Sequence, residues 1–268
     1  RLRGEYLHLH LPGLPAATVP FMSRFPAAGP SAGRWLALAG LGGAVLTGIG
    51  DVLQLGRPCS GADFDQAAGL IPPNIDVEER WRSLWNGAVL PRRRIQVGTL
   101  IGLVGIGLSG FATQAVTRAI HPGALRNMAS ASAAAATLSG AIAHFSCGKV
   151  ILAYKQASAT RIEPTVGGQP SPPTSLLAVG AVGSLSALAI FSIDQAAAGL
   201  LGRSAAPILS TLVTPFPFVA ATLLTFGYLP APIGGYARPA SISIGLMTYW
   251  AIAVASAKRR TKSAHLTS

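Results

Sequence analysis

Half of the 268 residues are hydrophobic and only 11% are charged, with a mean hydropathy of +0.47, whereas a soluble domain carries about 25% charged residues. The deficit excludes an ordinary water-soluble globular domain and points to lipid. The formal net charge of +12 does not point to nucleic acid, because Lys and Arg gather at the ends and in two connecting segments instead of forming one stripe with interleaved aromatics; the excess reads as flanking charge at a membrane.

In chain order, residues 1–33 read as a disordered or non-native tail, broken by Pro12, Pro15, Pro20, Pro26 and Pro30, which interrupt any continuous apolar signal core. Met22, followed by Ser23 and Arg24, offers an alternative start. A helix needs roughly 20 apolar residues to cross a hydrocarbon core of ~30 Å, since backbone groups there are satisfied only internally. Six runs meet that test, at about 35–56, 95–117, 127–154, 175–200, 206–229 and 240–257, and a basic tail over 259–268 follows. The expected fold class is therefore all-α, a polytopic membrane protein with a bundle of about six transmembrane helices.

The connections carry their own signals. In the long first loop, Val77 to Trp85 mixes charge with Trp81 and Trp85, a pattern suited either to a short interfacial helix or to a solvated loop. Short turns at Arg203 and at Pro230, Pro232, Gly234 and Gly235 make the last three spans antiparallel neighbours. The cluster Lys258, Arg259, Arg260 and Lys262 abuts the last span directly, and the positive-inside tendency then puts both termini in the cytoplasm, with the plasma membrane as the expected location. Gly98 and Gly102 stand at GxxxG spacing, and Ala129 to Ala136 is a run of small residues, so the second and third spans are expected to pack closely.

Several marks in colinear order over about residues 40–255 resemble a family of bacterial multi-spanning membrane proteins grouped only as a domain of unknown function. They are Gly50 and Asp51; Arg94, Gly98 and Gly102; Gly140 and His144; Thr214 and Pro215; and the Gly234, Gly235 turn. Leu103 stands where that family usually has proline. The resemblance implies a multi-pass membrane protein and no activity.

Ionisable groups inside a span are expensive, which singles out Asp51, His144, Lys149 and Asp194. Lys149 is within reach of a helix end and is expected to snorkel. Asp194 and Gln195 form a secondary polar site toward the end of the fourth span. Cys147, in an apolar run, reads as a small packing residue, and Cys59, in a loop, is not expected to bridge to it. Asp51 and His144 lie about 24 to 26 Å along parallel spans at 1.5 Å per residue, so they share a depth, and Arg94 stands where the second span begins at that face. A candidate polar cluster of Asp51, Arg94 and His144 follows: a carboxylate, a guanidinium that pairs with it, and an imidazole. The other reading of the three is a buried lock that fixes helix register.

Thr214, Pro215 and Pro217 mark an expected kink in the fifth span, where freed carbonyls would line a cavity. One His and one Asp fall short of the three protein ligands of a catalytic zinc, and neither HExxH nor GxSxG occurs. No metal, cofactor or nucleic acid is expected. The partners expected are the lipid bilayer and a small-molecule or lipid ligand bound or moved within the bundle. The alternatives are a membrane-embedded hydrolase or transferase using Asp51 and His144, and an assembly protein without a ligand.

Overall fold

The structure, a computed structural model, describes residues 30–67, 90–118, 120, 122–160, 182–189 and 215–266. Every element among them is a helix and none is a strand, so the chain is all-α. We number these helices α1 (Pro30–Leu55), α2 (Gly61–Ala67), α3 (Arg92–Thr117), α4 (Ala124–Thr160), α5 (residues 182–189), α6 (Pro215–Gly227), α7 (Gly234–Ala237) and α8 (Ser241–Leu266).

Local chemistry explains where these helices begin and end. Pro91, with φ −59°, precedes α3; its missing N–H is no loss ahead of the first turn, and the helix therefore starts at Arg92, ahead of the apolar run at Ile95. α4 follows Gly123, whose φ of +151° suits only glycine, and Asn127 N–H donates to the Gly123 carbonyl at 3.2 Å. Ser60 caps α2: its hydroxyl accepts from the Asp63 N–H at 3.0 Å and donates to Asp63 Oδ2 at 2.6 Å. Those contacts hold the exposed Asp63 carboxyl below its usual range, the Ser60 hydroxyl first and the Ser60 N–H second. α8 runs on past Ala257 through Lys258, Arg259, Arg260 and Lys262 to Leu266.

Pro215 and Pro217 occupy the first turn of α6, where proline costs no intrahelical hydrogen bond. The kink expected there involves Thr214, which with Asp194 and Gln195 lies outside the described residues, as does the segment from Val77 to Trp85.

Two helices, over Trp35–Leu55 and Arg92–Thr117, are long and apolar enough to cross a membrane, and only 33% and 28% of their most apolar stretches are buried. α1 packs most extensively on α3 and next on α8; α3 also packs on α4, and α8 on α6. Ala37, Ala44, Ala112, Leu188, Tyr249 and Trp250 form the main apolar core, drawn from α1, α3, α5 and α8. A second, smaller core of Leu90, Ile95 and Ile151 lies where α3 begins.

The α1–α3 contact is made backbone to backbone. A Cβ on Gly50 would lie 2.5 Å from Gly102 Cα and 2.8 Å from the Gly98 carbonyl oxygen, and one on Gly43 would lie 2.8 Å from the Gly105 carbonyl oxygen. None of these neighbours is a flexible side-chain end, so an added methyl must push the helices apart. We expect Gly50→Ala to destabilise the protein by about 2 kcal/mol or more, whereas Gly107→Ala, which meets nothing within 4 Å, should change stability by under about 0.5 kcal/mol. Thermal unfolding of the two variants in the same detergent checks the contrast, and equal effects would contradict it.

Candidate functional site

Asp51 is on the last turns of α1, where the chain approaches the end of the bundle from which α3 starts. His144 lies on α4 and Ser243 on the first turn of α8. The three meet at Asp51: His144 Nδ1 is 3.2 Å from Asp51 Oδ1, and the Ser243 hydroxyl donates to Asp51 Oδ2 at 3.3 Å. His144 is buried, with 5% of its side chain exposed, while Asp51 keeps 19%. Three helices thus converge on one carboxylate, as expected where an acid must find partners away from water.

The other nitrogen of the imidazole fixes its protonation. His144 Nε2 lies 3.3 Å from the Gly98 carbonyl oxygen. A carbonyl only accepts, so Nε2 carries hydrogen. Nδ1 then faces Asp51 Oδ1 with one further proton between them, giving either imidazolium and carboxylate or neutral imidazole and carboxylic acid. Both arrangements have a net charge of zero, so the pair holds one proton whichever atom carries it.

The ring reaches Gly98 because α3 leaves a notch. A Cβ on Gly102 would overlap the His144 ring at Nε2, Cε1 and Cδ2. The glycine at that position therefore serves two neighbours at once, the α1 backbone at Gly50 and the imidazole of α4.

Arg94 is close by but differently engaged. Its Nη2 donates to the Val52 carbonyl at 2.9 Å and to the Gly56 carbonyl at 2.7 Å. Those oxygens are at the C-terminal end of α1, where a cation is favoured; the Val52 carbonyl also accepts from the Gly56 N–H at 2.9 Å, and the Gly56 carbonyl lies past the last helical turn. The guanidinium is thus a helix cap, and among the described residues no bond joins it to the Asp51 carboxylate. The physical reason is geometric. Asp51 is turned toward α4 and α8, while Arg94 meets α1 a turn later in the chain. Lys149 is exposed, with its Nζ 5.8 Å from the centre of the Phe145 ring, and Cys147 is buried one turn beyond His144. Cys59 and Cys147 are both free thiols.

Sequence reasoning missed Gln54, Thr99 and Ser243. Gln54 is fully buried, and its Nε2 donates to Thr99 Oγ1 at 2.9 Å and to the His144 carbonyl at 3.0 Å, while Thr99 donates on to the Ile95 carbonyl. Both amide hydrogens are therefore in use, and Gln54 Oε1 is buried without a donor. The available signal was spacing. Gln54 is three residues after Asp51, which puts the two on one face of α1. No spacing signal pointed to the partner of Asp65, which forms a 2.6 Å ion pair with Arg238 at 7% and 12% exposure. That pair, with Gly61 N–H on the Leu229 carbonyl at 2.9 Å and Gly235 N–H on the Cys59 carbonyl at 2.7 Å, ties the segment after α1 to the turn before α8.

Among the described residues no group of three His, Cys, Asp or Glu side chains is placed to hold a metal. The site sets a carboxyl against an imidazole, an acid and a base that can share a proton. We expect Gly102→Ala to displace the imidazole and separate Nδ1 from Asp51, moving the 15N resonance of His144 Nδ1 to that of an unpaired ring. Gly107→Ala serves as the control that leaves it in place. An unmoved resonance in Gly102→Ala would show that the notch does not position His144.

No curated protein and no solved structure matches the chain. The model of one family, described as a family of unknown function (DUF6796), matches residues 32–260, which takes in every helix of the site. That match covers most of the chain, and the protein belongs to the family of unknown function DUF6796.

Proposed function

We propose that this protein is a multi-pass integral membrane protein of about six spans that binds a small ligand at the Asp51–His144 pair, in step with a proton, and passes it through the helix bundle. Both termini lie on the cytoplasmic side of the plasma membrane in this reading. The observation that carries it is the pair itself: a carboxylate and an imidazole holding one proton between three helices, at a position where an ionisable group is costly unless it has a use.

The surface supports the lipid part of the reading. Val97, Leu100, Val104 and Phe111 leave α3 exposed along one stripe, and Leu138, Ile142 and Phe145 do the same on α4. In water such contiguous apolar stripes are rare, and in a bilayer they face acyl chains. Trp35 begins the apolar run of α1 and Tyr228 follows α6, both exposed, as aromatics at the two membrane interfaces are. Arg92 and Arg93 are exposed where α3 starts, which suits the headgroup level.

A hydrolase or transferase at the same pair finds less support. The Ser243 hydroxyl donates to the Asp51 carboxyl and not to the imidazole, which is not the Ser–His arrangement of a serine nucleophile activated by an imidazole base. A purely structural lock would explain the pairing but not a carboxylate that keeps 19% exposure.

Two experiments test the reading. Infrared spectra of the reconstituted protein should show a carboxyl band that changes with pH and that disappears in Asp51→Asn; a band that never changes would mean that the pair does not exchange its proton with water. Cysteines introduced as Ser23→Cys and Ser268→Cys, in a background with Cys59 and Cys147 replaced by serine, should react with a membrane-impermeant reagent from the same side, and labelling from opposite sides would overturn the arrangement of spans.

A further inference from the structure

Charge balance around Asp51 restricts what can replace its proton. The Asp51–His144 pair is neutral with one proton, and losing that proton leaves one negative charge between helices, which a low-dielectric surrounding resists unless a positive charge arrives. Gaining a second proton leaves one positive charge and requires an anion instead. The groups within one turn of the pair separate the two cases. An anion needs hydrogen-bond donors, and those in contact with the pair are committed: Ser243 to Asp51 itself, His144 Nε2 to the Gly98 carbonyl, and both Gln54 amide hydrogens to Thr99 and His144, while the Arg94 guanidinium stands a turn away with Nη2 on two carbonyls of α1. What remains unmet is the opposite demand, since Gln54 Oε1 is fully buried and has no donor.

We propose, resting on the reading above, that the ligand exchanged for the proton is a monovalent ammonium cation, held by the Asp51 carboxylate with Gln54 Oε1 as a second acceptor. An ammonium has three N–H donors and no acceptor, which matches a carboxylate and an amide oxygen. The exchange balances: the pair gives one proton to water, Asp51 becomes the carboxylate partner of the incoming cation, His144 is left neutral with its hydrogen on Nε2 facing Gly98, and the net charge of the site is unchanged. The other charged or titratable groups facing the pair do not alter that count. Arg94, from α3, is engaged by Nη2 on the carbonyls of α1, and Cys147, from α4, is a buried thiol. Among the described residues α8 contributes the Ser243 hydroxyl. The 19% exposure of the Asp51 side chain gives the cation its approach.

The test is proton release from the full chain in lipid nanodiscs in weakly buffered solution with a pH indicator, with empty nanodiscs subtracted. Hexylammonium chloride is expected to release about one proton per chain at saturation, and Asp51→Asn to abolish the release. Gln54→Met, which keeps the length of the side chain without its oxygen, should weaken half-saturation by about tenfold while the Asp51 carboxyl band still changes with pH. Equal release by sodium chloride would assign the site to alkali ions, and proton uptake on adding sodium hexanoate would assign it to anions. Either result, or no proton movement with any of the three salts, overturns the proposal. If the carboxyl band still responds to pH in those cases, the protonatable site stands and only the ammonium assignment falls; unchanged affinity in Gln54→Met removes Gln54 from it.

Discussion

The backbones of α1 and α3 touch, and the rest of the site depends on that contact. Side chains normally hold packed helices 8 to 10 Å apart, but Gly43 and Gly50 of α1 face Gly98, Gly102 and Gly105 of α3 with no room for a methyl group between them. In a lipid environment, where burying apolar surface gains little, such close approach is the main source of helix affinity. It also fixes both the height and the rotation of α1. Asp51 follows Gly50 directly, so its direction is set by the same contact that seats Gly50 against α3.

From that fixed point the polar groups can be followed outward. The carboxylate turns away from the α3 backbone toward α4 and α8, where His144 and Ser243 meet it. His144 is aimed by the notch at Gly102 and by the Gly98 carbonyl, so α3 orients the ring without supplying a side chain. Gln54, one turn later, ties α1 to both α3 and the α4 backbone. Gly148 lets this happen, because a Cβ there would press on Thr99 and Gln54. The site is therefore rigid on the α3 side and has its partly exposed edge at Asp51.

The end of the bundle nearest the site is closed by a different kind of interaction. Arg94 caps the carbonyls of α1, and beyond it the chain turns back through Cys59 and Gly61 onto Leu229 and Gly235. The ion pair of Asp65 with Arg238 is mostly withdrawn from water. Removing one partner of such a pair costs more than the pair contributes, because the other charge is left without compensation. The pair joins α2 to the turn that leads into α8, the helix that carries Ser243.

The sequence alone determined the all-helical class, since apolar runs of span length leave the backbone no other way to satisfy its hydrogen bonds. It also determined the depth of Asp51 and His144, because rise per residue is constant along a helix and a residue count converts directly into a height. Family membership was legible in the colinear glycines and polar marks, and the family model matches residues 32–260. Tertiary structure alone decided rotation. Which residue on an apolar helix faces inward cannot be read from a pattern in which outward-facing and core-facing positions are equally apolar, so Arg94 was expected beside the Asp51 carboxylate and is found on the carbonyls of Val52 and Gly56. Gln54, Thr99 and Ser243 were passed over because an uncharged polar residue in a span has no distinguishing mark until its partner is known. The pairing of Asp65 with Arg238, 173 residues apart, arises only when α2 and the turn before α8 are brought together by the helices between them.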